Sequence, residues 1–240
     1  MGEPPSVNSS HQHPQSIQRM FNAIAPTYDV LNHFLSFGLD IRWRKRAIQC
    51  LEEKRGGTFL DIAAGSGDLS IEALRLSPSH IVATDFAEEM LHAFQMKLVK
   101  NNQAHAIELV ACDVLALPFE NGSFDATMVA FGIRNFADRL LALREMHRVL
   151  RPTGLSLILE LSAPTTPVIA QLYKLYSHVL LPLLGKIISK HNNAYTYLPD
   201  SIRRFPDENE FRGIMKEAGF TDVRTMRLTF GAATIYLGRK

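Results

Sequence analysis

The sequence predicts an α/β fold: an open, mostly parallel sheet of seven strands, covered by helices and ended by an antiparallel hairpin. Three observations predict it. Short apolar strand patterns alternate with amphipathic helical stretches from residue 58 to residue 160, as crossover units require. Asp61, Asp85 and Asp113 all fall at the C-terminal ends of consecutive strand patterns. The C-terminal stretch reads as two strands joined at Gly231, a connection too short for anything but a hairpin.

Composition sets the outer limits. The chain has 240 residues, 46% of them hydrophobic and 21% charged. That length buries a sizeable core without staples. A net charge of +2 gives no reason to expect nucleic acid as a partner. Cys50 and Cys112 are isolated thiols without a CxxC spacing, which suits a reducing cytoplasm. Residues 1–16 hold three prolines, four serines and no apolar core. They read as a disordered tail rather than a targeting segment. No uninterrupted apolar run reaches 18 residues, so no membrane-crossing helix is expected.

Residues 17–240 read as one domain, opening with a helical segment over 17–54. Ile17, Met20, Phe21 and Ile24 share helical spacing, broken by Pro26. A second apolar group is Tyr28, Val30, Leu31, Phe34 and Leu35. Trp43, Ala47, Ile48 and Leu51 form a third, ended by Gly56-Gly57. Thr58–Ile62 is the first strand, followed by a Gly-rich turn and a helix over about Asp68–Leu76. Ile81–Thr84 and Ile107–Ala111 are the next strands, flanking a helix over Glu88–Lys100. Phe124–Ala130 is the fourth strand. The helix over Arg139–Leu150 stops at Pro152-Thr153-Gly154, before a fifth strand over Leu155–Glu160. Residues 163–205 interrupt the alternation. A helix over Glu208–Ala218 and the strands Val223–Thr229 and Ala232–Leu237 complete the chain.

The turn Asp61-Ile-Ala-Ala-Gly65-Ser66-Gly67-Asp68 brings backbone close to a ligand. Alone, two glycines there mean no more than a tight turn. Asp85, 18 residues after Gly67, can accept both hydroxyls of a ribose, or simply cap the next helix. Asp113 suits an adenine amino group. Together the three acids point to an adenosine-containing ligand at the sheet edge. The turn also reads G-x-G-x-x-S, with Ser70 last, which keeps NAD as a rival. Asp68 would repel a pyrophosphate, however, and Asp61 suits an amino-acid ammonium. Adenosine joined to a zwitterionic amino acid is S-adenosylmethionine.

The turn also resembles the first motif of the Rossmann-like class I S-adenosylmethionine-dependent methyltransferases. More specific are Leu117-Pro-Phe, Phe131-Gly-Ile-Arg-Asn135, Leu143-Arg-Glu-Met-His-Arg-Val-Leu-Arg-Pro152, Leu159-Glu-Leu-Ser162 and Tyr197-Leu-Pro-Asp-Ser-Ile-Arg203 with Phe205-Pro206. With Tyr28-Asp29 and Asn32, they resemble the UbiE/MenG methyltransferases of menaquinone and ubiquinone biosynthesis, from about Ile17 to Lys240. Ala63, Ser66, Thr153 and Leu161 depart from the family pattern without removing a functional group.

The resemblance implies methyl transfer to a ring carbon of a polyprenylated quinol, chiefly demethylmenaquinol. The alternative acceptor is the benzoquinol of ubiquinone biosynthesis. This chemistry requires neither a covalent enzyme intermediate nor a metal. It implies Gly65, Ser66 and Gly67 at the methionine end of the donor, with Asp61 near the ammonium. It puts Asp85 at the ribose, Asp113 and Val114 at the adenine, Ala130 near the sulfonium or methionine portion, and Met90 also against the donor. Arg134 and Asn135 are expected to face the transferred methyl and the acceptor, with Arg134 the main catalytic candidate or else a structural residue that fixes the loop through backbone carbonyls. Tyr28 covers the donor or is a lid or core aromatic without a chemical role, and Tyr197 and Arg203 stand near the acceptor.

His33, His147 and His178 share no ligand spacing and read as surface or capping residues. In the insert, Val168, Leu172, Leu175, Val179, Leu183 and Ile187 recur at helical spacing, and Lys174, His178, Lys186 and Lys190 mark another face. This is a lid for a prenyl tail that touches the cytoplasmic membrane surface peripherally, or else a packed helix or homodimer contact. A non-catalytic adenosyl-ligand scaffold and an NAD oxidoreductase are the rival functions.

Overall fold

The computed structural model describes residues 14–25, 29, 32–33, 36–162 and 193–240. Seven strands form one sheet: β1 (Thr58–Ile62), β2 (His80–Asp85), β3 (Glu108–Ala111), β4 (Phe124–Ala130), β5 (Leu150–Leu161), β6 (Thr221–Leu228) and β7 (Ala233–Arg239). Their order is β3-β2-β1-β4-β5-β7-β6. The first five are parallel, and β7 runs antiparallel between β5 and β6. The chain therefore steps outward from β1 to β3 and returns to β4 beside β1. Between β1 and β4 it leaves a crevice at the carboxyl ends, where open α/β sheets bind ligands.

Seven helices are described: α1 (Pro14–Ile24), α2 (Leu39–Gln49), α3 (Asp68–Ala73), α4 (Glu88–Lys100), α5 (Arg139–Val149), α6 (Asn193–Arg204) and α7 (Glu208–Glu217). Both sheet faces are covered, so the strands are apolar on both sides. Phe59, Ala83 and Met128 pack under Trp43, Leu69 and Phe94 of α2, α3 and α4. Leu60, Ile62 and Ile158 face Leu143, Met146, Phe211 and Met215 of α5 and α7.

Several boundaries differ from the sequence expectations. Helix α1 starts at Pro14, inside the stretch read as tail. Proline suits a first helical turn because its missing N–H would have no partner there. Helix α2 stops at Gln49, and a 3₁₀ turn over Glu52–Lys54 precedes Gly56. The helix expected to reach Leu76 ends at Ala73 and tightens into a 3₁₀ turn. Strand β5 begins at Leu150, because Pro152-Thr153-Gly154 forms a bulge rather than a loop. Leu150 pairs with Phe124 and Leu155 with Ala126, so the four residues 151–154 stand opposite the single Asp125. The second apolar group and the insert at 163–192 lie outside the described residues.

Candidate active site

Strand β1 delivers Asp61 fully buried beneath the turn. The Ser70 hydroxyl of α3 donates to its Oδ2 at 2.5 Å. Its Oδ1 has no partner among the described residues. Burial pushes this carboxyl up to about 7; the Ser70 hydrogen bond opposes that and the nearby Asp85 adds to it. Asp61 borders a small recess with Arg44, Ala63, Gly65, Ser66, Asp68 and Ala130. A buried carboxylate oxygen without a donor, at the edge of a recess, can accept a hydrogen bond from a cationic group.

Next to the recess opens a cleft. Gly65, Asp85, Met90, Asp113, Val114, Ala130 and Asn135 line it. The Gly65 N–H and the Ala87 N–H each donate to Asp85 at 2.8 Å, to Oδ2 and Oδ1 respectively. Asp85 thus ties the turn to the end of β2, and burial raises its carboxyl above the ordinary range. Each oxygen keeps a lone pair for a ribose hydroxyl. Asp113 caps a 3₁₀ turn by accepting the Leu115 N–H at 2.9 Å.

Other expected residues stand elsewhere. Gly67 borders neither opening. It holds φ at 84°, and a Cβ there would lie 2.0 Å from the Phe94 ring. Its glycine is required by the turn and by α4. Arg134 also lines neither opening, although Asn135 beside it does. The Arg134 guanidinium donates to Glu160 Oε1 at 2.9 Å and to the Phe131 carbonyl, and its Nε lies 3.4 Å from the Ser201 hydroxyl. Its N–H donates to Glu160 Oε2 at 3.1 Å. Arg134 fastens the loop after β4 to the end of β5 and to α6. Arg203 is exposed on α6 and paired with Asp200. Tyr28, the Tyr197 side chain and His178 lie outside the described residues.

Some site features were not anticipated. Ile17, Gln18 and Phe21 of α1 wall the cleft, with Phe86, Cys112, Phe131 and Phe136. Gln18 donates to the Phe86 carbonyl at 2.7 Å. The apolar spacing of α1 was legible; its target was not. The Ser66 hydroxyl donates to Asp29, and Lys97 bridges Asp29 at 2.6 Å and Asp68 at 2.8 Å. Arg44 pairs with Asp40 and reaches Asp68 at 3.5 Å. Asp68 is therefore compensated, and its expected repulsion of a pyrophosphate loses force. His33 sits 2.7 Å from Asp40 in this network. His33, Asp40 and Asp68 cluster closely enough for a cation, but Arg44 already supplies one. His147 packs edge-on against Phe220, with ring centres 5.2 Å apart, and hydrogen-bonds the Gly219 backbone just past α7.

Asp61, Asp85 and the cleft lie together at the carboxyl ends of the strands, beside the crevice between β1 and β4. Fold and pocket define a class I S-adenosylmethionine-dependent methyltransferase. The model of the ubiE/COQ5 methyltransferase family matches residues 8–240. The chain belongs to that family. It is 43% identical over 228 residues to a protein of Geobacter sp. strain M21 named ubiquinone/menaquinone biosynthesis C-methyltransferase, covering 94% of this chain and 97% of the other. It is 43% identical over 222 residues to a demethylmenaquinone methyltransferase of Thermus thermophilus, covering 91% and 99%. Among solved structures, a SAM-dependent methyltransferase from Thermotoga maritima superposes with a TM-score of 0.66 at 17% identity, covering 93% and 99%. That likeness shows the fold alone. No described helix is long and apolar enough to cross a membrane.

Proposed function

We propose that the protein methylates a ring carbon of a polyprenylated quinol, converting demethylmenaquinol to menaquinol. The observation that carries this is the uncompensated Asp61 oxygen beside a largely apolar cleft, in a chain whose full-length relatives bear that name. A benzoquinol of the ubiquinone pathway is the second reading, favoured by the double name of the Geobacter relative.

The donor supplies an electrophilic sulfonium methyl. Asp61 holds its ammonium, Asp85 its ribose hydroxyls, and Asp113 and Val114 its adenine. Ser66 and Gly65 close the methionine end, and Met90 and Ala130 flank the donor. The acceptor ring lies against Phe131 and Phe136, with Asn135 orienting a quinol hydroxyl. Loss of that hydroxyl proton to water enriches the ortho carbon. The carbon forms a bond to the methyl, and the sulfur–methyl bond breaks with its electron pair going to sulfur. The ring proton leaves to water as the ring becomes aromatic again, and the quinolate oxygen takes one proton back from water, so that one proton is released overall. Positioning carries most of the rate gain. Arg134 acts as a positioning residue that fixes the Asn135 loop. The lipid acceptor draws the enzyme to the inner membrane surface as a peripheral protein.

The test offers labelled S-adenosylmethionine with reduced demethylmenaquinone and, in parallel, the reduced ubiquinone precursor. Label on the naphthoquinol is the expected result. Label on the benzoquinol alone would favour the second reading. No label on either, with S-adenosylhomocysteine still bound, would overturn both.

A further inference from the structure

Two phenylalanines stand out on the surface. Phe37 is 73% exposed and Phe230 is 74% exposed. Each opens a Phe-Gly pair in which both residues have positive φ: 53° and 71° at 37–38, 57° and 89° at 230–231. Each is held at the tip of a tight turn. Phe37 precedes α2, and Phe230 sits between β6 and β7.

The two tips share one end of the molecule. Trp43, in the first turns of α2, donates through its indole N–H to the Thr229 hydroxyl at 2.8 Å. That bond joins the α2 turn to the β6–β7 turn. On its inner side Trp43 packs against Phe131, with ring centres 6.2 Å apart, and Phe131 lines the cleft. One indole thus separates the exposed aromatic tips from the acceptor side of the site.

A basic face adjoins the tips. Ile41, Arg42, Lys45 and Arg46 are exposed along one side of α2. Arg42 and Lys45 have no ion-pair partner among the described residues, and Arg46 bonds only the neutral Gln49. The nearby acids Glu52 and Glu72 are paired with Arg55 and Arg75. Separate, projecting aromatic tips do not make the broad complementary patch that a protein partner needs. They do suit insertion among lipid headgroups, where aromatic side chains sit at the interface and Lys and Arg meet phosphates.

We propose that Phe37, Ile41 and Phe230 insert into an anionic bilayer, with Arg42, Lys45 and Arg46 on its headgroup phosphates, and so seat the cleft on the membrane that holds its substrate. This rests on the quinol reading and names the surface through which it operates.

Cosedimentation of the full chain with phosphatidylcholine vesicles, with and without phosphatidylglycerol, tests it. Asparagine tolerates positive φ, so Phe37→Asn with Phe230→Asn keeps both turns. That double variant should bind anionic vesicles at least about tenfold more weakly. Arg42→Gln with Lys45→Gln should lose about tenfold on anionic vesicles and little on neutral ones. Both variants should keep the wild-type melting shift with S-adenosylhomocysteine and the wild-type rate on a water-soluble, short-tailed demethylmenaquinol. Equal vesicle binding by wild type and the phenylalanine variant would overturn the proposal, as would absence of binding by wild type. So would a switch of the variant from dimer to monomer with vesicle binding unchanged, which would make the tips a contact between copies. Failure of wild type on the short-tailed quinol would instead strike the proposed reaction.

Discussion

Asp61 near the end of β1 and Glu160 near the end of β5 are both wholly buried carboxylates at the same edge of one sheet. Their surroundings differ completely. Glu160 accepts from the Arg134 guanidinium, the Arg134 N–H and the Leu161 N–H. Asp61 accepts from Ser70 and leaves its other oxygen bare. A buried carboxylate with both oxygens bonded serves the scaffold; one with a bare oxygen facing a recess is open to a ligand. Burial alone separates nothing here, whereas hydrogen-bond accounting does.

The largest effect should come from breaking the answered pair. Arg134→Ala strands Glu160 without its cation and should cost about 3–5 kcal/mol, a fall of roughly 10 °C in melting temperature. Arg134→Met combined with Glu160→Met should recover most of that loss. An Arg134→Ala variant with unchanged melting temperature and abolished methyl transfer would return Arg134 to a direct chemical role.

Next is the open carboxylate. Asp61→Asn removes a charge-assisted contact worth about 1.5–3 kcal/mol, so S-adenosylhomocysteine should bind roughly 10–100-fold more weakly by calorimetry. The donor-free variant should melt no lower than wild type at pH 8, since it sheds an uncompensated charge. A lower melting point there would mean that Asp61 is structural like Glu160.

The pH dependence sharpens the contrast. With its carboxyl raised to about 7, Asp61 is protonated in the donor-free fold at mildly acidic pH. Its unfolded value is near 3.8. The fold therefore holds more protons than the unfolded chain between those values. Asp61's contribution to stability is full below about 4 and is lost as pH rises through about 7. Donor binding needs the ionised form, so affinity should rise with pH below 7, by up to about tenfold per unit, and level off above. Asp61→Asn should flatten that profile.

The smallest effect concerns the N-terminal cover. Ser66→Ala removes one hydrogen bond to Asp29, worth about 1 kcal/mol, while Lys97 keeps hold of Asp29. Limited proteolysis within residues 14–38 should quicken a fewfold without a change in global melting. A large drop in melting temperature would show the cover to be part of the main cooperative unit.

How much of this was legible depends on the range of the interactions. Strands β1 and β4 and helix α4 fall where the sequence places them, because apolar period and flanking turn residues are local properties. The bulge in β5 was hidden because Pro-Thr-Gly reads as a loop unless a neighbouring strand holds both sides of it. Asp61, Asp85 and Asp113 were legible as a set because parallel strands bring their carboxyl ends together. The need for glycine at 67 was hidden because it answers to Phe94, 27 residues away. Arg134 and Asn135 were read as a pair because they are adjacent. A 3₁₀ turn sends one side chain to Glu160 and the other to the cleft.

The sequence by itself determined the alternating α/β order, the terminal hairpin, the acidic strand ends and the family, because each is written in short-range pattern and motif. Only the tertiary structure decided which buried carboxylate is answered and which is open, and which neighbour in a motif faces the cleft. It also decided that two distant Phe-Gly turns meet at Trp43. Those outcomes depend on contacts between residues far apart in the chain, and no local period or spacing encodes where such partners will point.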